Sequence, residues 1–167
     1  MSYTLAQLNQ MSQEAFVEAL GAVFEDTPAI AYQVWNQSPF TDVTDLYQKM
    51  VGVVEAISQD EQLALIRVHP DLGSKVKMAA ASVQEQAGVG LDRLTLQEYD
   101  RFHLLNQRYK QKFGFPFIIA VKHHTKASIL EAFTLRLKNP VDAEMTQAIA
   151  EITEIARLRL LAQVREL

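Results

Sequence analysis

At 167 residues, with 49% hydrophobic and 22% charged residues, the chain is sized for one domain that buries a core without covalent staples, and its composition argues against disorder or a fibrous repeat. It contains no cysteine, which excludes disulfides, thiolate metal ligands and a Cys nucleophile, and fits a reducing compartment. A net charge of -4 with scattered Lys and Arg argues against a nucleic-acid partner.

The N-terminus, Met1-Ser2-Tyr3-Thr4-Leu5, lacks the basic and apolar regions of a secretory signal. No apolar run is long enough to span a bilayer, and Arg165-Glu166-Leu167 does not match a peroxisomal Ser-Lys-Leu address, so a soluble cytoplasmic protein without a membrane partner is expected. Apolar residues recur at helical spacing, as in Phe16, Leu20, Val23 and Phe24, then Leu46, Met50, Val53 and Ile57. The fold class is therefore all-α, a single-domain multi-helix bundle over residues 1-167.

In chain order the pattern predicts short helices before Thr27 and after Pro28, then helices from about Thr44 to Ile57 and from Gln59 to Val68. Ser58-x-x-Glu61 and Thr95-x-x-Glu98 have the spacing of capping boxes, in which hydroxyl and carboxylate satisfy the free N–H groups of a helix start. Short helices are expected from about Ser74 to Ala87, and long ones from Leu96 to Phe113, from about Lys126 to Lys138, and from Asp142 onward. Gly114 supplies the left-handed stop of the first of these long helices, and Asn139-Pro140 ends the second.

Between them, Phe115-Pro116-Phe117-Ile118-Ile119-Ala120-Val121 is rich in β-branched and aromatic residues and reads as a strand by pattern. A lone strand has no partner for its main-chain groups. In a helical protein it is better read as a buried extended segment near residues 115-121, whose N–H and C=O groups find other partners, a bound polar ligand among them.

Two stretches carry an imidazole and a carboxylate on segments marked by Pro and Gly: Arg67-Val68-His69-Pro70-Asp71-Leu72-Gly73 and Ser82-Val83-Gln84-Glu85-Gln86-Ala87-Gly88. Pro70 disfavours the helical region for His69 and sets its ring at a helix C-terminus, where the dipole favours imidazolium. The ring can serve there as a proton donor or simply cap the last carbonyls. Ser82-x-x-Glu85 can start a helix as another capping box, or it can form, with Gln86, a polar cradle for an anionic or amide-rich ligand in which Glu85 pairs with His69.

Arg159 falls on the stripe of Met145, Ile149, Ile152, Ala156 and Gln163, so it points toward the core. A guanidinium there needs a carboxylate or a planar anion, which leaves a structural ion pair, a snorkelling side chain and a ligand contact as readings. Asn106 interrupts the aromatic face of Phe102, Tyr109 and Phe113 and reads as one satisfied polar residue in a packed face. His123 and His124 are adjacent rather than at metal-ligand spacing, which makes a solvated loop the better reading.

Taken in order, His69-Pro70-Asp71-Leu72, Ser82-x-x-Glu85-Gln86-Ala87-Gly88, Leu105-Asn106-x-x-Tyr109-x-x-Lys112-Phe113-Gly114-Phe115-Pro116-Phe117-Ile118 and Ile155-Ala156-Arg157-Leu158-Arg159-Leu160 resemble the OHCU decarboxylase family over nearly the whole chain. Members convert 2-oxo-4-hydroxy-4-carboxy-5-ureidoimidazoline (OHCU) to S-allantoin in urate catabolism. The resemblance implies an all-helical domain, a homodimer, a small ureidoimidazoline substrate, and no metal or organic cofactor. By the same resemblance His69 is the catalytic acid/base and Glu85 its partner. Pro70, Ser82, Val83, Gln84 and Gln86 bind substrate, Phe117, Ile118, Ile119, Ala120 and Val121 contact it through the backbone, and Arg159 holds its anionic part. After Val121-Lys122 the family often has Gly where this chain has His123-His124, which bears on the loop and not on the chemistry. Two rival readings are a non-catalytic helical module that binds a ureide, and a metal-dependent hydrolase using His69, Asp71, His123 or His124.

Overall fold

The computed structural model describes residues 2–166. The chain divides into two compact units, one formed by the residues up to Gln62 together with those from Thr153, the other by Leu63–Ile152.

The first unit begins with a two-residue strand, β1 (Tyr3–Thr4), paired in parallel with β2 (Val164–Arg165), Tyr3 opposite Val164 and Thr4 opposite Arg165. Two-residue strands leave no alternation to read, which is why an all-helical pattern missed them. Helices α1 (Leu5–Asn9), α2 (Gln13–Leu20), α3 (Ala29–Trp35) and α4 (Val43–Ala56) follow. Thr4, Ser12 and Asp42 cap α1, α2 and α4 through side-chain oxygens that accept N–H groups of the first turn. Phe16 and Leu20 of α2, Ile30 and Val34 of α3, and Leu46, Met50 and Val54 of α4 are fully buried. Phe16 stacks on Phe40 at 5.8 Å.

Helix α5 (Gln59–Arg67) opens with the expected capping box: Ser58 Oγ accepts the Glu61 N–H at 3.1 Å and Glu61 Oε1 accepts the Ser58 N–H at 3.3 Å. In the second unit, α6 (Ala80–Gly88), α7 (Leu96–Phe113) and α8 (Lys126–Arg136) are followed by the start of α9 (Val141–Gln163). Thr95 and Glu98 cap each other at the start of α7, and Gly114 ends it with φ 79°. Phe102, Tyr109 and Phe113 project into one aromatic cluster with Phe117 and Phe133, the last two stacked at 3.8 Å.

Residues 74–79 are not helical, contrary to the pattern, and a single helix starts only at Ala80. Within this stretch Ser74 Oγ accepts the Val76 N–H at 3.1 Å, a local bond that competes with the helix. Nor does Ser82 start a helix. Ala79 occupies the cap position without a side-chain bond, and Ser82 lies buried inside α6. The buried stripe of α9 contains Ile152 and Ala156 as expected, but toward the start of the helix it runs through Glu144 and Ala148, with Met145 and Ile149 half-buried, and Leu160 is buried as well. Arg159 is buried as expected.

Candidate active site

Pro70 has no N–H and stops α5, so the chain turns at His69. The His69 N–H bonds the Ile66 carbonyl at 3.2 Å, and its ring Nδ1 lies 2.9 Å from the Leu65 carbonyl. A carbonyl can only accept, so Nδ1 carries the hydrogen, and Nε2 is the atom that gains or releases a proton. The ring therefore caps the helix end, and the Leu65 carbonyl fixes its orientation. It is 8% exposed.

The loop after Pro70 is gripped from three sides. Gln86 Oε1 accepts the Gly73 N–H at 3.0 Å, and its Nε2 lies 3.4 Å from the Asp71 carbonyl. Asn106 Nδ2 donates to the Leu72 carbonyl at 2.9 Å, and Lys110 pairs with the Asp71 carboxylate at 2.6 Å. Asn106 is thus satisfied at its nitrogen, while its Oδ1 is buried with no protein partner among the described residues, a departure from the fully satisfied residue expected. The Lys110–Asp71 pair is partly exposed and adds at most about 1 kcal/mol. Gly73 has φ 70°, in the left-handed region that favours glycine, and a Cβ there would push the end of the Leu94 side chain aside, meeting its Cδ1 at 2.7 Å.

Helix α6 presents Ser82, Glu85 and Gln86 on one face, with Ser82 and Gln86 buried and Glu85 half-buried. Val83 and Gln84 are exposed, and the Val83 N–H already bonds the Ala79 carbonyl at 3.0 Å. The helix ladder thus takes up the N–H groups from Val83 onward, so free N–H groups do not extend over residues 83–86, while Ser82 is the third residue of α6 and stands in its first turn. The same helix packs against the 3-10 turn Val121–His123, at the end of the extended segment. Through Gln86 and this packing, α6 joins the His69 loop to the segment at 117–121.

Residues 115–120 are buried, non-helical and form no strand, and Val121 already opens the 3-10 turn, so the expected extended segment ends one residue early. Arg136 Nη1 donates to the Ile118 carbonyl at 2.7 Å, and Glu151 Oε1 accepts the Ala120 N–H at 3.1 Å. Among the described residues, no protein group bonds the Ile119 N–H or carbonyl. Burial of Phe117, Ile118, Ile119 and Val121 stabilises by about 1.5–3 kcal/mol per side chain, against about 1 kcal/mol for each hydrogen bond. Apolar packing holds the segment in place; the two charged side chains orient its peptides.

In the first unit, Arg159 Nη2 lies 3.0 Å from Glu25 Oε1 and its Nη1 3.3 Å from the Ala22 carbonyl. The paired side chains are 4% and 1% exposed. Sequence reading passed over Glu25, whose one signal is an acid directly after the buried Val23 and Phe24. Asp26, at φ 40°, turns the chain immediately afterwards. Arg136, Glu144 and Glu151 were also passed over, since charged residues in a helix read as solvated.

His124 Nδ1 lies 2.9 Å from Ser128 Oγ at the start of α8. No group of three or more His, Asp or Glu able to hold a metal ion occurs among the described residues. A cavity of about 330 Å3 beside the loop is lined by Asp71–Val76, Tyr99, His103 and Asn106, and neither His69 nor Glu85 is in its wall.

A profile of the family described as OHCU decarboxylase matches residues 9–161. The chain is 43% identical over 157 residues to the 2-oxo-4-hydroxy-4-carboxy-5-ureidoimidazoline decarboxylase of Halalkalicoccus jeotgali, an alignment covering 94% of this chain and 89% of that protein. It is 44% identical over 158 residues to the uric acid degradation bifunctional protein PucL of Bacillus subtilis, covering 95% of this chain but only 32% of the longer relative. Among solved structures, (S)-allantoin synthase superposes with a TM-score of 0.79 at 26% identity, over 97% of this chain and 54% of that one. A crystal structure of OHCU decarboxylase in the presence of (S)-allantoin gives a TM-score of 0.70 at 22% identity, over 91% and 97% of the two chains, a likeness of fold.

Proposed function

Because the chain belongs to the OHCU decarboxylase family, we propose that it is a carboxy-lyase converting OHCU to S-allantoin in urate catabolism. The observation that carries this reading is the clustering of three motif segments in one compact unit, where α6 touches both the loop after His69 and the end of the 117–121 segment.

The substrate has a carboxylate and a hydroxyl on one ring carbon, next to a ring carbon that bears the ureido group and a C=N bond. When the bond to CO2 breaks, its electron pair forms a C=C bond and the C=N pair moves onto nitrogen, which takes a proton. The resulting enol then gives up its hydroxyl proton, and the ureido-bearing carbon receives one, so CO2 is replaced by a single net proton. The C=N bond is its own electron sink, and the reaction calls for no cofactor.

What the protein supplies is placement of the carboxylate out of the ring plane, donors for developing charge and a proton on one face. His69, with the proton handled at Nε2, acts on the 4-hydroxyl and serves as donor to carbon, and Glu85 is its partner. Pro70, Ser82 and Gln86 shape the substrate pocket, and the 117–121 backbone contacts the substrate, with the Ile119 N–H and carbonyl as its available groups. Val83 and Gln84 enter by the family motif alone, as does Arg159 as ligand of the anionic part. A single domain over residues 1-167, a homodimer and a cytoplasmic location belong to the same reading. It is supported by the match of one family profile across both units, and no helix among the described residues is long and apolar enough to cross a membrane.

Circular dichroism on OHCU generated in situ tests the activity. Rapid appearance of S-allantoin is the expected result. Slow racemic product, unchanged by the protein, would leave a ureide-binding module in its place.

A further inference from the structure

The two side chains that meet the extended segment take opposite ends of adjacent peptides. The Ile118 carbonyl, held by Arg136 Nη1 at 2.7 Å, shares its peptide plane with the Ile119 N–H. The Ala120 N–H, held by Glu151 Oε1 at 3.1 Å, shares its plane with the Ile119 carbonyl. Both peptides are trans, so in each plane the N–H and C=O point in opposite directions. Arg136 therefore aims the Ile119 N–H away from itself, and Glu151 does the same for the Ile119 carbonyl.

Arg136 is itself held. Its Nε donates to Glu144 Oε1 at 2.8 Å, and its Cζ lies 4.3 Å over the Phe117 ring. Its Nη2 is buried without a hydrogen-bond acceptor among the described residues, and the aromatic face supplies the favourable contact for that side of the guanidinium. Glu144, 0% exposed, also accepts from the Tyr109 hydroxyl and from Asn139 Nδ2.

We propose that Arg136 and Glu151 are positioning residues of the decarboxylase site, setting the two peptides around Ile119 so that its N–H and carbonyl are presented to the substrate. Resting on the reading that segment 117–121 contacts substrate, this names the side chains that give the contact its geometry. The cation and the anion also polarise the peptides they hold, making the Ile119 N–H a better donor and its carbonyl a better acceptor.

Glu151 is half-buried, so Glu151→Ala can fold even where substitution of Arg136 does not. The test compares wild type, Glu151→Ala, Glu151→Gln and Arg136→Lys for kcat and KM on OHCU, and for amide exchange across residues 116–121. Glu151→Ala is expected to raise KM by about 5–10-fold, the loss of one oriented hydrogen bond, with faster exchange at Ala120. Glu151→Gln retains an acceptor and should return both to within about twofold of wild type. Arg136→Lys, which cannot span Ile118 and Glu144 with one planar fork, should fall between wild type and Glu151→Ala. An unchanged KM in Glu151→Ala, or equal impairment of the Gln variant, overturns the proposal. Absence of turnover in wild type would instead defeat the assigned activity, and amide exchange would still decide the anchoring: unaltered exchange at Ala120 in Glu151→Ala overturns it.

Discussion

The side-chain amide of Gln86 holds Gly73 in place: its Oε1 accepts the Gly73 N–H at 3.0 Å while Nε2 reaches back toward the Asp71 carbonyl. This fastens the loop that follows His69 and Pro70 to the helix that carries Glu85. One amide group thus ties together the two stretches on which the imidazole and the carboxylate stand.

Replacing Gln86 tests that tie. Gln86→Leu keeps the volume but leaves the buried Gly73 N–H without an acceptor, and should cost about 1–3 kcal/mol in denaturant unfolding. Gln86→Glu preserves an acceptor and should cost less. Unchanged stability with a raised KM would instead make Gln86 a direct substrate ligand.

His69→Asn and Glu85→Ala should each lower turnover by about 10²-fold or more with the helical circular dichroism retained. Wild-type turnover in both would remove the acid/base assignment. A product that turns racemic in either variant would point to loss of the positioned proton donor.

Arg159→Ala removes the guanidinium from Glu25, whose carboxylate is fully buried. Breaking such a pair from one side should cost about 3–5 kcal/mol, read as a lowered unfolding midpoint. If stability is kept and only the binding of anionic ligands weakens, Arg159 is a substrate ligand and not a structural ion pair.

Burial raises the Tyr109 phenol far above its usual value of 10, and its hydrogen bond to Glu144 adds to this while Arg136 opposes it. The folded state therefore keeps a proton that the unfolded chain loses near pH 10. The associated stability is fully present below pH 10 and is lost as pH rises above it. In an alkaline titration followed by phenolate absorbance, Tyr109 should ionise only as the protein unfolds. Tyr109→Phe should remove that step, and an early phenolate signal from Tyr109 in folded protein would refute the buried hydrogen bond.

Much of the fold was legible because its signals are local. The capping boxes at Ser58/Glu61 and Thr95/Glu98, and the left-handed Gly114, act within four residues of one another, so spacing reveals them. The box at Ser82/Glu85 has the same spacing but lies inside α6. The loop before it is fastened by Gln86 and Asn106, and the latter is 34 residues away from Leu72 in sequence. No local pattern reports such a partner. Arg159 was placed in the core by periodicity alone, yet its acid, Glu25, is 134 residues away.

By itself the sequence determined the helical class, most helix ends, the buried extended segment and the motifs shared with the OHCU decarboxylase family, because side-chain periodicity, caps and motif order are properties of neighbours along the chain. Only the tertiary structure decided which polar groups meet: Gln86 with Gly73, Arg136 with Ile118 and Glu151 with Ala120. A buried hydrogen bond requires its two atoms within about 3 Å in a particular direction, and for partners far apart in sequence that condition exists only once the helices have packed.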